Sequence, residues 1–164
     1  MDYLSIGRRL FREDLMRSPG WSEQGVQIWV RDHGRCVFCG TDMLQSYDVA
    51  YYYSHHDHLL PKSKYGELLC NINNLVLSCK ACNEIKHTFD PNVESAAPGD
   101  AAPQLVYTSG SGTLTEAARE ELIRRVQVHL RGQRGEYPAK FEAQKKAILR
   151  AIRGGEEAAA AGAA

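Results

Sequence analysis

Residues 73–86 read NNLVLSCKACNEIK, a stretch in which an apolar run meets a pair of cysteines. The aliphatic run 75–77 leads directly into Cys79 and Cys82. Two residues lie between these cysteines, which lets both sulfur atoms reach one metal ion at about 2.3 Å. We therefore predict a metal-binding turn here, within a segment of short strands and loops followed by one helix.

A second pair, Cys36 and Cys39, lies upstream, and 39 residues separate the two pairs. Four thiolates form the tetrahedral ligand set of a structural zinc and leave no open position for water. Four reduced cysteines in a hydrophobic core are the other interpretation, but two pairs at this spacing favour zinc. Cys70 stands apart from both pairs, and we predict that it is a buried thiol.

Length and composition limit the class of protein. The chain has 164 residues, 43% of them hydrophobic, which suits one domain with an appendage. It contains no apolar run that could span a membrane, and its N-terminus has no secretory signal. We therefore expect a cytoplasmic protein with no membrane partner.

Charge is distributed unevenly along the chain. Twenty basic and twenty acidic residues cancel overall, but residues 114–153 hold ten basic and five acidic residues, a net charge of +5. A basic segment of this kind permits a nucleic-acid partner. Solvated helices have the same charge pattern, so both interpretations stay open.

Apolar periodicity predicts two helices before the first cysteine pair. Residues 1–20 contain an N-terminal helix that ends at the Ser-Pro-Gly sequence 18–20. Ser22 can cap a second helix at the start of the central segment 21–90, which otherwise reads as short strands and loops followed by one helix.

The C-terminal half divides into three segments. Residues 91–113 hold three of the six prolines and much Gly, Ser and Ala, which is typical of a connector. The basic extension 114–153 is predicted to be helical, and the alanine-rich tail 154–164 to be disordered. A capping box beginning at Thr113 precedes an apolar stripe on one helix face, made of Leu114, Ala118, Leu122, Val126 and Leu130.

Asp57 and His58 lie between the cysteine pairs and just before Pro61. An unperturbed histidine side chain is mostly neutral at pH 7 and can accept a proton from water. A carboxylate can bind a hard divalent cation, which neutralises charge on a phosphate. Neighbours on a strand point to opposite faces, so both residues serve one site only if the strand bends or ends here.

Three sequences in this order, RDHGRCVFCG, HDHLLPKSKYG and NNLVLSCKACNEIK, closely resemble the HNH endonuclease family over about residues 21–90. The resemblance implies an α+β fold. Its centre is a ββα-metal HNH core with a four-cysteine structural zinc. N-terminal helices and a C-terminal helical extension would flank that core.

The resemblance also assigns roles to single residues. His58 matches the general base of the family, and Asp57 and Asn83 match its metal ligands. Asn74 matches the central asparagine, which holds the loop and the base in place. Lys86 matches a lysine that can approach the phosphate.

His87 has two alternative roles. It lies four residues after Asn83, so on a helix both side chains face the same way. Some members of the family use two helix ligands at this spacing, whereas many others have a small residue here. His87 is therefore either a metal ligand or a residue without that role, which contacts a phosphate or is a bystander.

Further residues are predicted to contact nucleic acid. Lys62 and Lys64 follow the base in a loop, and Arg124 and Arg125 lie on the basic extension; solvated positions are the alternative for each. The triple tyrosine 51–53 favours a strand in the core, with a stacking platform for bases as the alternative.

We interpret the chain as a metal-dependent DNA endonuclease that nicks, or cuts with weak specificity, using His58 and one divalent ion. Mg²⁺, Mn²⁺ and Ni²⁺ all suit the ligand types. The alternative is a non-catalytic zinc module that binds nucleic acid or protein, and a third interpretation is a nuclease toxin with an acidic immunity partner. DNA is the expected partner, and a homodimer or an accessory protein stays open.

Overall fold

A computed structural model describes residues 2–13, 22–95, 99, 101, 103–135 and 137–162, with side chains described up to residue 151. Within these residues the helices are α1 (Tyr3–Arg12), α2 (Glu23–Arg31), α3 (Tyr47–Tyr52), α4 (Lys80–Lys86), α5 (Glu116–Arg134) and α6 (Tyr137–Gly162), and the strands are β1 (Ser54–His58) and β2 (Leu75–Cys79). The chain divides into two compact units, Met1–Leu130 and Arg131–Ala164. The helices and the two-stranded sheet confirm the predicted α+β class.

β1 and β2 form an antiparallel pair that presents Asp57 and His58. Asp57 pairs with Val76 and His58 with Leu75. The first four residues of β2 are buried, and α4 begins directly after the strand. These three elements make the predicted ββα unit. Because β1 ends at His58, the two neighbouring side chains are free to serve one site.

The core of the first unit combines α2, β2 and α5. Ser22 accepts a hydrogen bond from the Gly25 N–H at 3.0 Å, which confirms the predicted cap of α2. The apolar stripe of the extension is buried in the same core as the strands; its members are Leu114, Ala118, Leu122, Val126 and Leu130. The first part of the predicted extension therefore packs with the ββα unit.

The cap of α5 lies later than its sequence pattern predicted. The hydroxyl of Thr115 accepts a hydrogen bond from the Ala118 N–H at 3.2 Å, and the helix begins at Glu116. Thr113 is thus two residues outside the capping position. Packing of Leu114 into the core sets where the chain enters the helix.

Asp32 connects α2, β2 and α5 through its buried carboxylate. Its Oδ1 accepts hydrogen bonds from Arg31 and Arg119, each at 2.7 Å. Its Oδ2 accepts one from the Leu77 N–H at 2.8 Å. Buried charges are tolerated only when they are well paired, so the packing of these elements depends on Asp32.

The segment 91–113, predicted to be a connector, contains buried residues. Asn92 is 2% exposed and Tyr107 is 4% exposed. The Asn92 amide donates to the Tyr107 carbonyl at 2.8 Å and accepts from the Val106 N–H at 3.0 Å. Composition did not reveal this, because one buried asparagine supplies the backbone partners that a regular element would otherwise provide.

The strand predicted for 51–53 is wrong. Tyr51 and Tyr52 end helix α3, and Ser46 caps that helix by accepting a hydrogen bond from the Val49 N–H at 3.3 Å. The three tyrosines are exposed, at 44%, 65% and 51% in chain order. A serine cap outweighed the strand preference of these aromatic residues.

Cys70 is exposed, so the predicted buried thiol is also wrong. It lies in the loop between two short 3₁₀ turns, Gly66–Leu68 and Ile72–Asn74. Its carbonyl oxygen accepts a hydrogen bond from Gln24 at 2.8 Å. The loop is thereby fixed by backbone contacts, which leave the thiol outside the core.

The structure describes most of the C-terminal tail, but not the break predicted near the N-terminus. Helix α6 continues to Gly162, through most of the tail 154–164 for which disorder was predicted, because alanine has the highest helix propensity. The break predicted at 18–20 lies outside the described residues. Among the helices that are described, none has an apolar stretch sufficient to cross a bilayer.

Candidate metal centre and functional site

The four paired cysteines converge on one point. The Sγ atoms of Cys36, Cys39, Cys79 and Cys82 all lie within 4.8 Å of one another. The Cys39 and Cys79 sulfurs are 3.7 Å apart, and sulfurs bound at about 2.3 Å to one tetrahedral ion would be about 3.8 Å apart. The cluster fits a zinc site, as predicted.

Local backbone geometry produces the two cysteine turns. Gly40 has a φ of 75°, which favours glycine, and its N–H donates to the Cys36 carbonyl at 2.8 Å. Cys79 is the N-cap of α4, and its sulfur accepts from the Cys82 N–H at 3.5 Å. Each turn therefore aims two sulfurs at one point.

The electrostatics of the cluster also favour a cation. Hydrogen bonds from Cys36 and Cys82 lower the pKa of the Cys79 thiol. The hydrogen bond with Cys79 raises the pKa of Cys36, and hydrogen bonds with Cys36 and Cys79 raise the pKa of Cys82. A bound dication stabilises the remaining thiolates, so this sulfur set suits Zn²⁺.

The first cysteine turn is pinned to the rest of the first unit. The Val37 N–H donates to the Leu77 carbonyl at 3.0 Å, and the Val37 carbonyl accepts from Gln127 at 2.8 Å. Since Leu77 lies on β2, the first cysteine turn fixes the position of the strand that pairs with β1.

Asp57 and Lys86 form a buried pair at the end of the hairpin. Asp57 is 9% exposed and Lys86 is 2% exposed. The ammonium lies 3.4 Å from each carboxylate oxygen and donates to the His58 carbonyl at 2.7 Å. The Asp57 Oδ2 atom is buried and makes no hydrogen bond. Burial raises the pKa of Asp57, and the charge of Lys86 opposes this rise.

This geometry changes the expected role of Lys86. The sequence predicted a lysine that approaches a phosphate, but the side chain points from the inner face of α4 into the protein. Its donors serve Asp57 and the backbone of His58. Lys86 therefore positions the Asp57–His58 pair.

The His58 side chain is half-buried, and its Nε2 atom lies 3.0 Å from the carbonyl oxygen of Leu69. A carbonyl oxygen only accepts hydrogen bonds, so this contact assigns the ring proton to Nε2. Nδ1 is then the basic nitrogen. Sequence reasoning missed Leu69, because a backbone contact leaves no signal in residue type.

Asn74 closes the loop between the two strands. It is fully buried, and its Oδ1 accepts from the Leu60 N–H at 2.8 Å. Its Nδ2 donates to the carbonyls of Leu60 and Leu68 at 3.3 and 3.4 Å. These contacts suit a residue that holds the loop carrying Leu69, and so the imidazole of His58.

Asn83 and His87 are not aligned on one helix face. Asn83 lies half-buried on α4, but the helix ends at Lys86 and His87 follows with a φ of 46°. His87 is exposed, and its Nδ1 lies 3.1 Å from the Thr88 hydroxyl. Among the described residues, only the four cysteines form a group of three or more such metal ligands. The ligand role of His87 stays a prediction without support from this geometry.

The four residues predicted to contact nucleic acid differ in their exposure and in their partners. Lys62 is exposed, whereas Lys64 pairs with Asp90 at 3.3 Å. Arg124 is 62% exposed. The Arg125 side chain is 11% exposed and donates to the carbonyls of Pro91 and Gln104, each at 3.0 Å. Arg125 thus stabilises the segment 91–113, whereas the side chains of Lys62, Lys64 and Arg124 are exposed, with Arg124 paired to Glu121 at 2.7 Å.

Comparison with known proteins agrees with this geometry. Residues 36–89 match the model of the HNH endonuclease family. The chain is 28% identical over 96 residues to Septu protein PtuB of Bacillus thuringiensis, in an alignment covering 52% of this chain and 36% of that protein. The alignment thus spans about a third of that relative's length. No solved structure matched significantly.

The matched span contains the paired strands, α4, the four clustered cysteines and the Asp57–Lys86 pair. Residues 36–89 of this chain therefore form an HNH endonuclease domain.

Proposed function

We propose that this protein is a metal-dependent endonuclease that hydrolyses phosphodiester bonds in DNA, with His58 as the general base. The observation that carries the proposal is the fixed imidazole: Nε2 is engaged by the Leu69 carbonyl, so Nδ1 is the nitrogen available to a water molecule. The HNH domain match supports a nuclease-type function for the same residues.

The second part of the proposal concerns the catalytic ion. Asp57 would hold it together with Asn83, through the carboxylate oxygen that makes no hydrogen bond inside the protein. A divalent ion such as Mg²⁺, Mn²⁺ or Ni²⁺ would neutralise charge on the phosphate and on the departing oxygen. The charge of Lys86 opposes the rise that burial causes in the pKa of Asp57, and Asn74 holds the loop that contacts the general base.

The alternative, a non-catalytic zinc module, uses only the cysteine cluster and the basic surface. Such a module has no need of a buried Asp57–Lys86 pair, whose desolvation is costly. A small ββα unit inserted in one groove contacts few base edges, so nicking or weakly specific cleavage is the expected activity.

The test is nicking of supercoiled plasmid by wild-type protein and by His58→Ala, after the zinc content of both has been measured. Mg²⁺ is omitted or added, rather than chelated, so that the cysteine site keeps its metal. His33→Ala is the matched control, because His33 is exposed on a different turn. We expect nicking that requires Mg²⁺, persists in His33→Ala and disappears in His58→Ala; nicking that survives in His58→Ala would refute the assigned base.

A further inference from the structure

Helix α3 and its C-cap carry four exposed tyrosines directly before the strand that ends at His58. Tyr47, Tyr51, Tyr52 and Tyr53 are 63%, 44%, 65% and 51% exposed. The rings of Tyr47 and Tyr51 stack at 4.5 Å, and Tyr52 meets Tyr47 edge-on at 6.2 Å. We call these four residues the tyrosine platform.

Helix α3, which carries the platform, is held in place by packing and hydrogen bonds. Val49 and Ala50, on the inner face of α3, pack against the core. The Ser54 hydroxyl donates to the Ala50 carbonyl at 2.5 Å, and the Tyr53 carbonyl accepts from the Lys80 N–H at 2.8 Å. The helix therefore half-buries two small side chains, while its four tyrosine side chains stay exposed. Exposed aromatic surface of this kind, in which Tyr47 contacts both Tyr51 and Tyr52, is typical of a binding site.

The area of the platform argues against a stable protein interface. Four tyrosines at these exposures offer roughly 450 Å², given about 200 Å² for each ring. A specific protein partner usually covers about 800 Å² on each side. Flat rings are well matched instead to the faces of nucleic-acid bases, which stack on aromatic side chains without sequence preference.

The position of the platform relates it to the nuclease site. β1 runs from Ser54 to His58 and spans roughly 17 Å at about 3.3 Å per residue. A nucleic-acid strand with its phosphate at His58 can therefore reach the rings within a few nucleotides.

We propose that the tyrosine platform stacks on unpaired bases close to the scissile phosphate, so that the preferred substrate contains a single-stranded segment. Bases inside a duplex already stack on their neighbours, and only unpaired bases can offer a free face. This inference rests on the proposed function, because it assigns the substrate class of the same site.

The test measures binding without cleavage. His58→Ala protein is titrated into a labelled single-stranded 20-mer and into a blunt duplex of the same sequence, with fluorescence anisotropy as readout. On this background Tyr52→Ala removes a ring, Tyr52→Phe keeps it, and Tyr137→Ala removes an exposed ring from the other compact unit. Zinc content and circular dichroism establish that each variant is folded.

We expect the single strand to bind more tightly than the duplex. Tyr52→Ala should weaken single-strand binding by about five- to 150-fold, the range for loss of one base–aromatic stack. Tyr52→Phe and Tyr137→Ala should bind as the parent does. Unchanged binding by Tyr52→Ala, or an equal loss with the duplex, would overturn the proposal. A change in oligomeric state caused by Tyr52→Ala would overturn it too, because the rings would then contact a second copy.

This experiment can fail separately from the nuclease test. If plasmid nicking is absent but Tyr52→Ala selectively loses single-strand binding, the platform stands and the catalytic proposal falls. If nicking depends on His58 but the tyrosine variants bind both oligonucleotides alike, the platform alone is refuted.

Discussion

The Nε2 atom of His58 and the backbone carbonyl of Leu69 are 3.0 Å apart, and this contact joins the end of β1 to a loop eleven residues later. It selects one tautomer of the imidazole. The loop that carries Leu69 is in turn closed by Asn74. Chemistry proposed for His58 therefore depends on contacts that no single segment of the chain supplies.

We expect loss of zinc to unfold the HNH domain. Cys82→Ser removes a buried ligand, whereas Cys70→Ser changes an exposed thiol outside the cluster. Metal binding contributes about 10–16 kcal/mol in zinc-finger peptides, which is at least comparable with the total stability of a typical small domain. Cys82→Ser should therefore lower the zinc content and abolish cooperative thermal unfolding, while Cys70→Ser keeps both. A fully folded Cys82→Ser protein without zinc would contradict a structural role for the metal.

Asp32→Ala should be among the most destabilising single changes. It leaves the buried charges of Arg31 and Arg119 without their shared carboxylate, and removal of one member of a buried ion pair costs about 3–5 kcal/mol. The free energy of unfolding in urea measures the effect. Asp42→Ala is the matched control, because Asp42 pairs with Arg35 at the surface, where such pairs contribute about 0–1 kcal/mol. Equal losses for both variants would show that the cluster adds nothing beyond a surface pair.

Lys86→Met should reduce Mg²⁺-dependent nicking by about tenfold or more, if the proposed function is correct. The change keeps the length of the side chain but removes the charge that opposes the raised pKa of Asp57. A carboxyl group that is protonated more often binds a cation less well, so higher Mg²⁺ concentration and higher pH should partly restore the rate. Lys80→Met removes an exposed charge from the same helix and should nick as wild type does. If Lys86→Met is as active as Lys80→Met, Lys86 has no positioning role.

His129 should make the protein less stable in mild acid. Its ring stacks on Phe89 at 3.8 Å, and burial lowers its pKa. Glu94 opposes this shift and Lys86 adds to it. As pH falls below about 6.5, the unfolded chain takes up the proton first, so the free energy of unfolding decreases. His129→Phe should flatten the dependence of Tm on pH between about 7.5 and 5.5. The control His33→Ala should keep the wild-type slope. Identical slopes in wild type and both variants would show that His129 does not cause the acid sensitivity.

Several parts of the fold followed from local patterns. Ser22 was recognised as a cap because its hydroxyl acts within one helical turn. The stripe from Leu114 to Leu130 was recognised by its period of four residues. The errors also arose locally: Tyr51–Tyr53 have strand preferences that a serine cap overrode, and the composition of 91–113 concealed a buried Asn92.

Sequence by itself determined the residue types and spacings of the site: two cysteine pairs, the Asp57-His58 dipeptide, Asn74 and the residues of α4. These act over a few positions, so their chemistry can be read from the chain. Tertiary structure alone decided that Asp32 meets Arg119 across 87 residues, that Arg125 binds the backbone of 91–113, and that Lys86 turns inward to Asp57. Such contacts depend on how distant segments pack, and the free energy that selects them comes from the whole core.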